Sequence, residues 1–143
     1  MNDSIAHIHA GPKTYHGSCD CGAVKYTAEL DLSRGVSQCN CKICTKINQF
    51  GAITKPDKLV VTAGEDQCTT YVRGPVATRY FCKHCGIHLF QRGDLPEVGG
   101  PYAGVCVNTL DDVDAHFLPV TYWDGRRDNW DAGPRDAPYP IFV

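Results

Sequence analysis

The chain has 143 residues, 43% hydrophobic and 21% charged, which fits one globular domain with a packed core. Its formal net charge of −2 gives no electrostatic reason to expect binding to nucleic acid or to an acidic membrane. No stretch approaches the roughly 18 consecutive apolar residues that cross a bilayer, and residues 1–18 contain no apolar run typical of a signal peptide. We therefore expect a soluble, cytoplasmic protein without nucleic-acid or membrane partners.

The chain divides into three segments by its hydrophobic pattern. Residues 1–15 lack periodicity and predict a flexible N-terminal arm. Residues 16–130 combine short apolar strands with clustered cysteines and predict one metal-binding domain. Residues 131–143 are rich in Pro and Gly, which predicts an irregular tail, and their apolar end is expected to dock on the core.

Short strands dominate the predicted secondary structure. In residues 23–30, "AVKYTAEL", apolar and polar side chains alternate, which is typical of a half-buried strand. Turn signals rich in Gly and Pro separate further predicted strands at residues 49–54, 58–63, 68–73, 77–82, 88–92 and 102–107. The best helical candidate is a single turn around residues 41–47. The pattern predicts a mainly β fold of antiparallel sheets with few or no helices.

Nine cysteines are the strongest chemical signal in the sequence. A cytosolic setting and an odd count both disfavour a disulfide framework and favour metal binding. The isolated Cys68 and Cys106 are interpreted as small buried hydrophobes. The other cysteines form three clusters: "CDC" (Cys19, Cys21), "CNCKIC" (Cys39, Cys41, Cys44) and "CKHCG" (Cys82, Cys85).

Clustered thiolates favour zinc, and seven of them divide as four plus three. Structural zinc sites are closed by four protein ligands, whereas reactive sites keep one position open. The simplest partition joins "CDC" to "CKHC" and leaves "CNCKIC" as a three-thiolate site, although Cys41 and Cys44 could instead join the knuckle-like "CKHC". A water or a histidine could also complete the smaller site. The candidate histidines are His16, His84, His88 and His116.

Three ordered motifs resemble the glutathione-dependent formaldehyde-activating (GFA) domain family. They are "GSCDCGAVKY" at residues 17–26, "CNCKICTK" at 39–46 and "RYFCKHCGIHLF" at 79–90, with a weaker match in "GVCVNTLDD" at 104–112 and the late Trp130. The resemblance implies a β-tent fold, two zinc ions per chain and a carbon–sulfur lyase of the S-(hydroxymethyl)glutathione synthase type. It also implies a structural zinc on Cys19, Cys21, Cys82 and Cys85, and a second zinc on Cys39, Cys41 and Cys44.

The three-cysteine site suits a thiol substrate better than a hydrolytic water. Three thiolates donate strongly to zinc and blunt its acidity, so a fourth sulfur is the favoured ligand. Glutathione supplies such a sulfur, which would add to formaldehyde or a related small aldehyde. Its carboxylates would pair with cations near the motifs, for which Arg73, Arg79 and Lys46 are the candidates. Asn40 and Lys42 lie between or beside the ligands and are candidates for tuning the sulfurs.

A second hypothesis is a zinc-stabilised binding module without catalysis. The family includes proteins such as centromere protein V that resemble adaptors, and a fold does not dictate function. The two hypotheses share every structural residue. They differ only in whether the smaller zinc site keeps an open position, which an adaptor does not need.

Overall fold

The computed structural model describes residues 8–142, and within them the fold is mainly β, as predicted. None of the helices in this range is long and apolar enough to cross a membrane. Short 3-10 turns connect most strands. The strands are β1 (Lys13–Ser18), β2 (Lys25–Leu30), β3 (Val36–Cys39), β4 (Gly51–Thr54), β5 (Leu59–Ala63), β6 (Cys68–Arg73), β7 (Ala77–Cys82), β8 (His88–Leu95), β9 (Gly100–Cys106) and β10 (Val120–Trp123), and the one α-helix is α1 (Lys42–Ile47).

The strands form two sheets. Strands β1, β2 and β5 make a three-stranded antiparallel sheet. The larger sheet has seven strands in the order β10-β3-β4-β9-β8-β7-β6. Its pairs are antiparallel except β3 with β10, which run parallel with Cys39 opposite Trp123. The predicted antiparallel arrangement is therefore confirmed apart from this one pair, which joins residues 36–39 to residues 120–123.

One hydrophobic core takes side chains from both sheets. Tyr26 of β2 is 1% exposed, and its ring meets Phe90 of β8 edge-on at 5.5 Å between centroids. The Tyr26 hydroxyl lies 2.6 Å from the hydroxyl of Thr109, so the buried polar end of the side chain has a partner. Gly17 faces the same ring, and any side chain at that position would collide with it. This packing holds the first cysteine-bearing loop, which follows β1, against the large sheet.

The N-terminal boundary differs from the prediction. Residues 13–15, assigned to the arm, form the beginning of β1, and Tyr15 is 3% exposed. The inward positions of β1 are Tyr15 and Gly17, and because glycine carries no hydrophobic signal, the strand shows no apolar alternation. Residues 1–7 of the predicted arm lie outside the described residues.

The late part of the chain packs on the metal-binding region. Strand β10 was not predicted, because only four residues pair and none of them is fully buried. Beyond it, the backbone of Arg135 exchanges two hydrogen bonds with Tyr122. The carbonyl of Pro140 accepts hydrogen bonds from Asn40 and Arg127. The segment predicted as an irregular tail therefore contacts the loop that carries the three-cysteine motif.

Candidate metal centres and the adjoining cleft

Four cysteines from two distant parts of the sequence meet at one end of the core. Cys19 and Cys21 lie in the loop after β1, Cys82 ends β7, and Cys85 lies in the turn before β8. Their four sulfurs lie within 4.8 Å of one another. The Sγ atoms of Cys21 and Cys82 are 3.6 Å apart. This is the partition favoured from spacing, and a set of four sulfurs at this separation suits a tetrahedral metal ion.

Backbone N–H groups point at these sulfurs. Val24 N lies 3.3 Å from Cys19 Sγ, and His84 N lies 3.4 Å from Cys82 Sγ. Hydrogen bonds from the backbone of Cys21 and Ile87 lower the pKa of Cys85 to about 6. Such bonds stabilise thiolate, the form that binds metal. The four-cysteine group, called cluster A, is therefore built to hold a cation between ionised sulfurs.

The remaining motif forms a second group, cluster B, consisting of Cys39, Cys41 and Cys44. Cys39 ends β3, Cys41 caps the N-terminus of α1, and Cys44 lies in its first turn. The three sulfurs lie within 4.8 Å of one another, and all three residues are half-buried. Within residues 8–142 no His, Asp or Glu joins the group. Cluster B thus offers three sulfur ligands and no fourth from the described chain.

The shifted pKa values of the thiols in cluster B also favour a bound cation. Hydrogen bonds from the thiols of Cys39 and Cys44 lower the pKa of Cys41, so one thiolate is stabilised by its neighbours. Hydrogen bonds with Cys39 first, and then with Cys41, raise the pKa of Cys44. Three sulfurs this close cannot all ionise unless a positive charge lies among them. The donor set is all sulfur, which suits a soft ion such as zinc.

The four candidate histidines lie elsewhere. The Nε2 atom of His84 is 2.6 Å from Gln67 Oε1, beside cluster A. His16 pairs with Asp112, and the rings of His116 and Phe50 meet edge-on. His88 stacks on Phe81 at 5.1 Å. None of them reaches cluster B in the described structure. Of the two isolated cysteines, Cys106 is buried, as expected, whereas Cys68 is only half-buried.

Asn40, between two ligands of cluster B, is a structural anchor and makes no bond to sulfur in the described structure. Its amide nitrogen donates to Asp124 Oδ1 at 2.8 Å, and its Oδ1 accepts from the backbone N–H of Arg126 at 2.9 Å. Asp124 also pairs with Arg127 at 2.9 Å. Asn40 and Asp124 are both buried. These bonds link the cysteine loop to residues 120–140, called the late segment. They therefore fix the path of the loop between Cys39 and Cys41.

Two residues of the late segment cover cluster B. Gly125 lies against Cys39 Sγ, and Trp130, which is 50% exposed, packs on Gly125. The rings of Trp130 and Trp123 are 6.0 Å apart. Trp130 was predicted only as part of a weak motif, and Gly125 and Asp124 were not predicted, because their proximity to the cysteines depends on the parallel pairing of β10 with β3.

A cleft of about 470 Å³ opens between α1 and the outer strands of the large sheet. Helix α1 contributes Lys42 and Lys46, and β6 contributes Arg73 and Tyr71. His88 also lines it, and burial, reinforced by the charge of Arg79, lowers the pKa of His88 so that it is neutral near pH 7. The full lining is Lys42, Ile43, Lys46, Ile47, Thr70, Tyr71, Arg73, Phe81 and His88. Among residues 8–142, three cations and no carboxylate therefore face this cleft, next to the helix that carries Cys44.

The three predicted carboxylate-binding cations do not share one environment. Lys46 and Arg73 line the cleft, whereas Arg79 does not. Arg79 is half-buried, and its Nη2 lies 3.9 Å from Cys44 Sγ. Its Nε is buried. Arg79 therefore belongs to the immediate surroundings of cluster B rather than to the mouth of the cleft.

The family model and a curated relative name the same family. The family model described as "Glutathione-dependent formaldehyde-activating enzyme" matches residues 14–124. A protein of Podospora anserina, named "Putative glutathione-dependent formaldehyde-activating enzyme", is 30% identical over 83 residues, covering 53% of this chain and 39% of its own length. The chain thus spans well under two thirds of that relative. A crystal structure of a Rhodobacter sphaeroides protein matches 87% of this chain and 99% of its own, with a TM-score of 0.63 and 25% identity.

Proposed function

The chain belongs to the glutathione-dependent formaldehyde-activating family, and from that premise we propose that it handles thiol adducts of formaldehyde or a related small aldehyde at cluster B. The thiol is glutathione or a close analogue, and the reaction is that of a carbon–sulfur lyase. The one observation that carries this proposal is that cluster B has three sulfurs and no fourth described ligand, next to a cationic cleft.

The two clusters would each hold one zinc ion. Cys19, Cys21, Cys82 and Cys85 would hold a structural ion, since four sulfurs close its coordination. Cys39, Cys41 and Cys44 would hold the second. When bound there, zinc would supply a soft Lewis-acid position that accepts a thiol sulfur as thiolate. A cytoplasmic location is part of the proposal, because cysteines that serve as metal ligands and form no disulfides suit a reducing compartment.

The cleft would hold the body of the thiol substrate. Glutathione carries two carboxylates, and Lys42, Lys46 and Arg73 present cations along one cleft wall and its facing strand. Because these side chains are near solvent, they would attract and orient the carboxylates of glutathione more than they would raise its affinity. The cleft lies beside α1, whose Cys44 belongs to cluster B, so a bound glutathione would be held with its thiol directed toward the sulfurs.

The proposed reaction is the addition of the thiolate to the carbonyl group of the aldehyde. The sulfur lone pair forms a bond to the carbonyl carbon, the C=O π pair moves to oxygen, and that oxygen takes a proton from water. The reverse sequence releases the aldehyde. The residues of the chain orient the two reactants, which removes much of the entropic cost of their meeting.

Cobalt substitution followed by glutathione titration tests this function. Co²⁺ in place of zinc reports its ligands by visible absorption, and we expect a saturable change as a fourth sulfur arrives at cluster B. The Cys41→Ser variant should lose this change while keeping the spectrum of cluster A. A wild-type spectrum that does not respond to glutathione and already shows two complete tetrahedral sites would overturn the proposal. The non-catalytic adaptor would then be the better account.

A further inference from the structure

Arg79 is a half-buried cation beside cluster B, and no carboxylate among residues 8–142 forms an ion pair with it. It lies in the middle of β7, opposite Tyr71 of β6 on one side and Gln91 of β8 on the other. Its guanidinium reaches the three-cysteine motif, where Nη2 lies 3.9 Å from Cys44 Sγ. A charge that is partly removed from water is normally paired with an opposite charge. The nearby sulfurs are therefore the candidates for the counter-ion of Arg79.

The sulfurs of the two clusters receive different hydrogen-bond donors. In cluster A, the donors that approach two of the sulfurs are neutral backbone N–H groups. In cluster B, Cys39 Sγ receives the backbone N–H of Cys41 at 3.4 Å, whereas Cys44 Sγ receives the side chain of Arg79. Among residues 8–142, Arg79 is the one cationic side chain with a hydrogen bond to a cysteine sulfur. A full positive charge is thus placed at cluster B.

The charge of Arg79 complements the charge that cluster B would carry with zinc. Three thiolates around a divalent ion leave one net negative charge, and a thiolate as the fourth ligand would double it. A neutral fourth ligand, such as water or imidazole, would leave the charge unchanged. Because the three cysteines are half-buried, water screens an added charge only in part. A fixed cation at this place therefore stabilises the site with four sulfurs more than the site with a neutral fourth ligand.

Resting on the proposed function, we propose that Arg79 makes cluster B prefer an anionic sulfur over a neutral molecule as the fourth ligand of its metal. The thiol passes its proton to water and binds as thiolate, and Arg79, which stays protonated throughout, offsets the added negative charge. Arg79 acts through the ligand Cys44 and is therefore a positioning residue. Lys46 and Arg73 of the cleft would act on the carboxylates of glutathione instead, so a thiol without carboxylates isolates the effect of Arg79.

Two small ligands of different charge test this preference in protein loaded with cobalt. 2-Mercaptoethanol binds metal as an anionic thiolate and has no carboxylate, whereas imidazole binds as a neutral ligand. Each is titrated at low salt while the visible absorption of Co²⁺ reports the arrival of a fourth ligand at cluster B. We expect Arg79→Met to lower the affinity for 2-mercaptoethanol about tenfold and to change that for imidazole less than about twofold, because only the thiolate adds charge. Arg79→Lys keeps the charge and should restore most of the preference.

Arg92→Met is the matched control for the loss of one positive charge from the same sheet. Arg92 follows Gln91 on β8, so its side chain points to the other face of the sheet, where its Nη1 donates to the Pro56 carbonyl at 3.3 Å. Removal of this charge should leave the preference between the two ligands unchanged. Arg79→Gln is a second neutral variant, which keeps a hydrogen-bond donor and replaces Arg79→Met if that variant does not fold.

The outcomes separate a role in ligand preference from a structural one. Equal loss of affinity for both ligands in the neutral variants would mean that Arg79 only shapes the site, and the inference would be overturned. An unchanged preference would overturn it as well, as would loss of cobalt from cluster B in both neutral variants. In these cases a wild-type response to 2-mercaptoethanol would leave the proposed function standing. A wild-type protein that responds to neither ligand would defeat the proposed function itself, and the inference with it.

Discussion

Gly125 lies directly against the sulfur of Cys39, and the late segment of the chain thereby forms one wall of cluster B. A side-chain carbon added at Gly125 would collide with that sulfur and would lie 2.6 Å from Cη2 of Trp130. The contact joins a turn after β10 to the last residue of β3, two strands that pair in parallel. Cluster B is therefore shaped as much by residues 123–140 as by its own cysteine motif.

A methyl group at Gly125 should weaken metal binding at cluster B alone. In Gly125→Ala the new carbon displaces Cys39, and we expect affinity at cluster B to fall about 10–100-fold, as when groups around metal ligands are changed. Chelator competition monitored by metal release measures both clusters. Gly51→Ala is the control, because the added carbon would be tight only against the flexible end of Gln49, at 3.2 Å, and would lie at ordinary contact distance from Ser37. Equal loss from both clusters in Gly125→Ala would contradict the prediction.

The two clusters should contribute unequally to stability. Cys82 is fully buried and joins the sheet to the loop after β1, so Cys82→Ser should remove the ion of cluster A. Structural zinc supplies folding free energy on the order of 10 kcal/mol, comparable to the whole stability of a domain. We expect Cys82→Ser to show no cooperative thermal transition. Cys44→Ser should lose one metal equivalent and still unfold cooperatively, as followed by circular dichroism. If Cys82→Ser and Cys44→Ser both kept or both lost the cooperative transition, the unequal contribution of the two clusters to stability would be refuted.

Asp124 should stabilise the cysteine loop at every pH between 5 and 8. Hydrogen bonds from Asn40 first, and then from Arg127 and Asn129, lower the pKa of its carboxyl below 3.8. A lowered folded pKa gives stability that is fully present above the unfolded value and is lost only as the pH falls through the folded one. Asp124→Asn should therefore lower Tm by the same amount at pH 8, 7, 6 and 5. A difference that changes with pH across this range would indicate another titrating group.

The cations of the cleft should control glutathione affinity electrostatically. We expect Lys46→Glu and Arg73→Glu each to raise the Kd for glutathione roughly 5- to 10-fold at low salt, because each change replaces attraction by repulsion. The effect should shrink as salt rises toward about 0.5 M, since the side chains are near solvent. Cobalt titrations at two salt concentrations measure it. Arg34→Glu, at a side chain that is 85% exposed and does not line the cleft, is the control.

Local sequence signals were sufficient for much of the fold. Strands β6 and β7 were predicted with their observed ends, because alternating side chains flank a Gly-Pro turn. The separation of the cysteines into groups of four and three follows from short motifs whose members are neighbours in sequence. Strands β1, β3 and β10 were missed because they are short and bury few apolar side chains.

The surroundings of the clusters could not be predicted in the same way. Asn40 reaches Asp124 only because β3 and β10 pair in parallel, and nothing in either local sequence indicates that pairing. Arg79 was assigned to the carboxylates of the substrate on its charge alone. Its place beside Cys44 depends on the register of β7 against β8, which shifts at a bulge that the sequence does not reveal.

The contact between Asn40 and Pro140 sets an order of assembly during synthesis. Every cysteine of cluster A has left the ribosome once residue 85 is free, so the larger cluster can load its ion while the rest of the chain is being made. Cluster B has all its sulfurs earlier, yet Asp124, Gly125 and the Pro140 carbonyl that shape it are synthesised after residue 85. The site with the first complete set of sulfurs is thus the last to acquire its final form, and ribosome-bound chains should gain the ion of cluster A first.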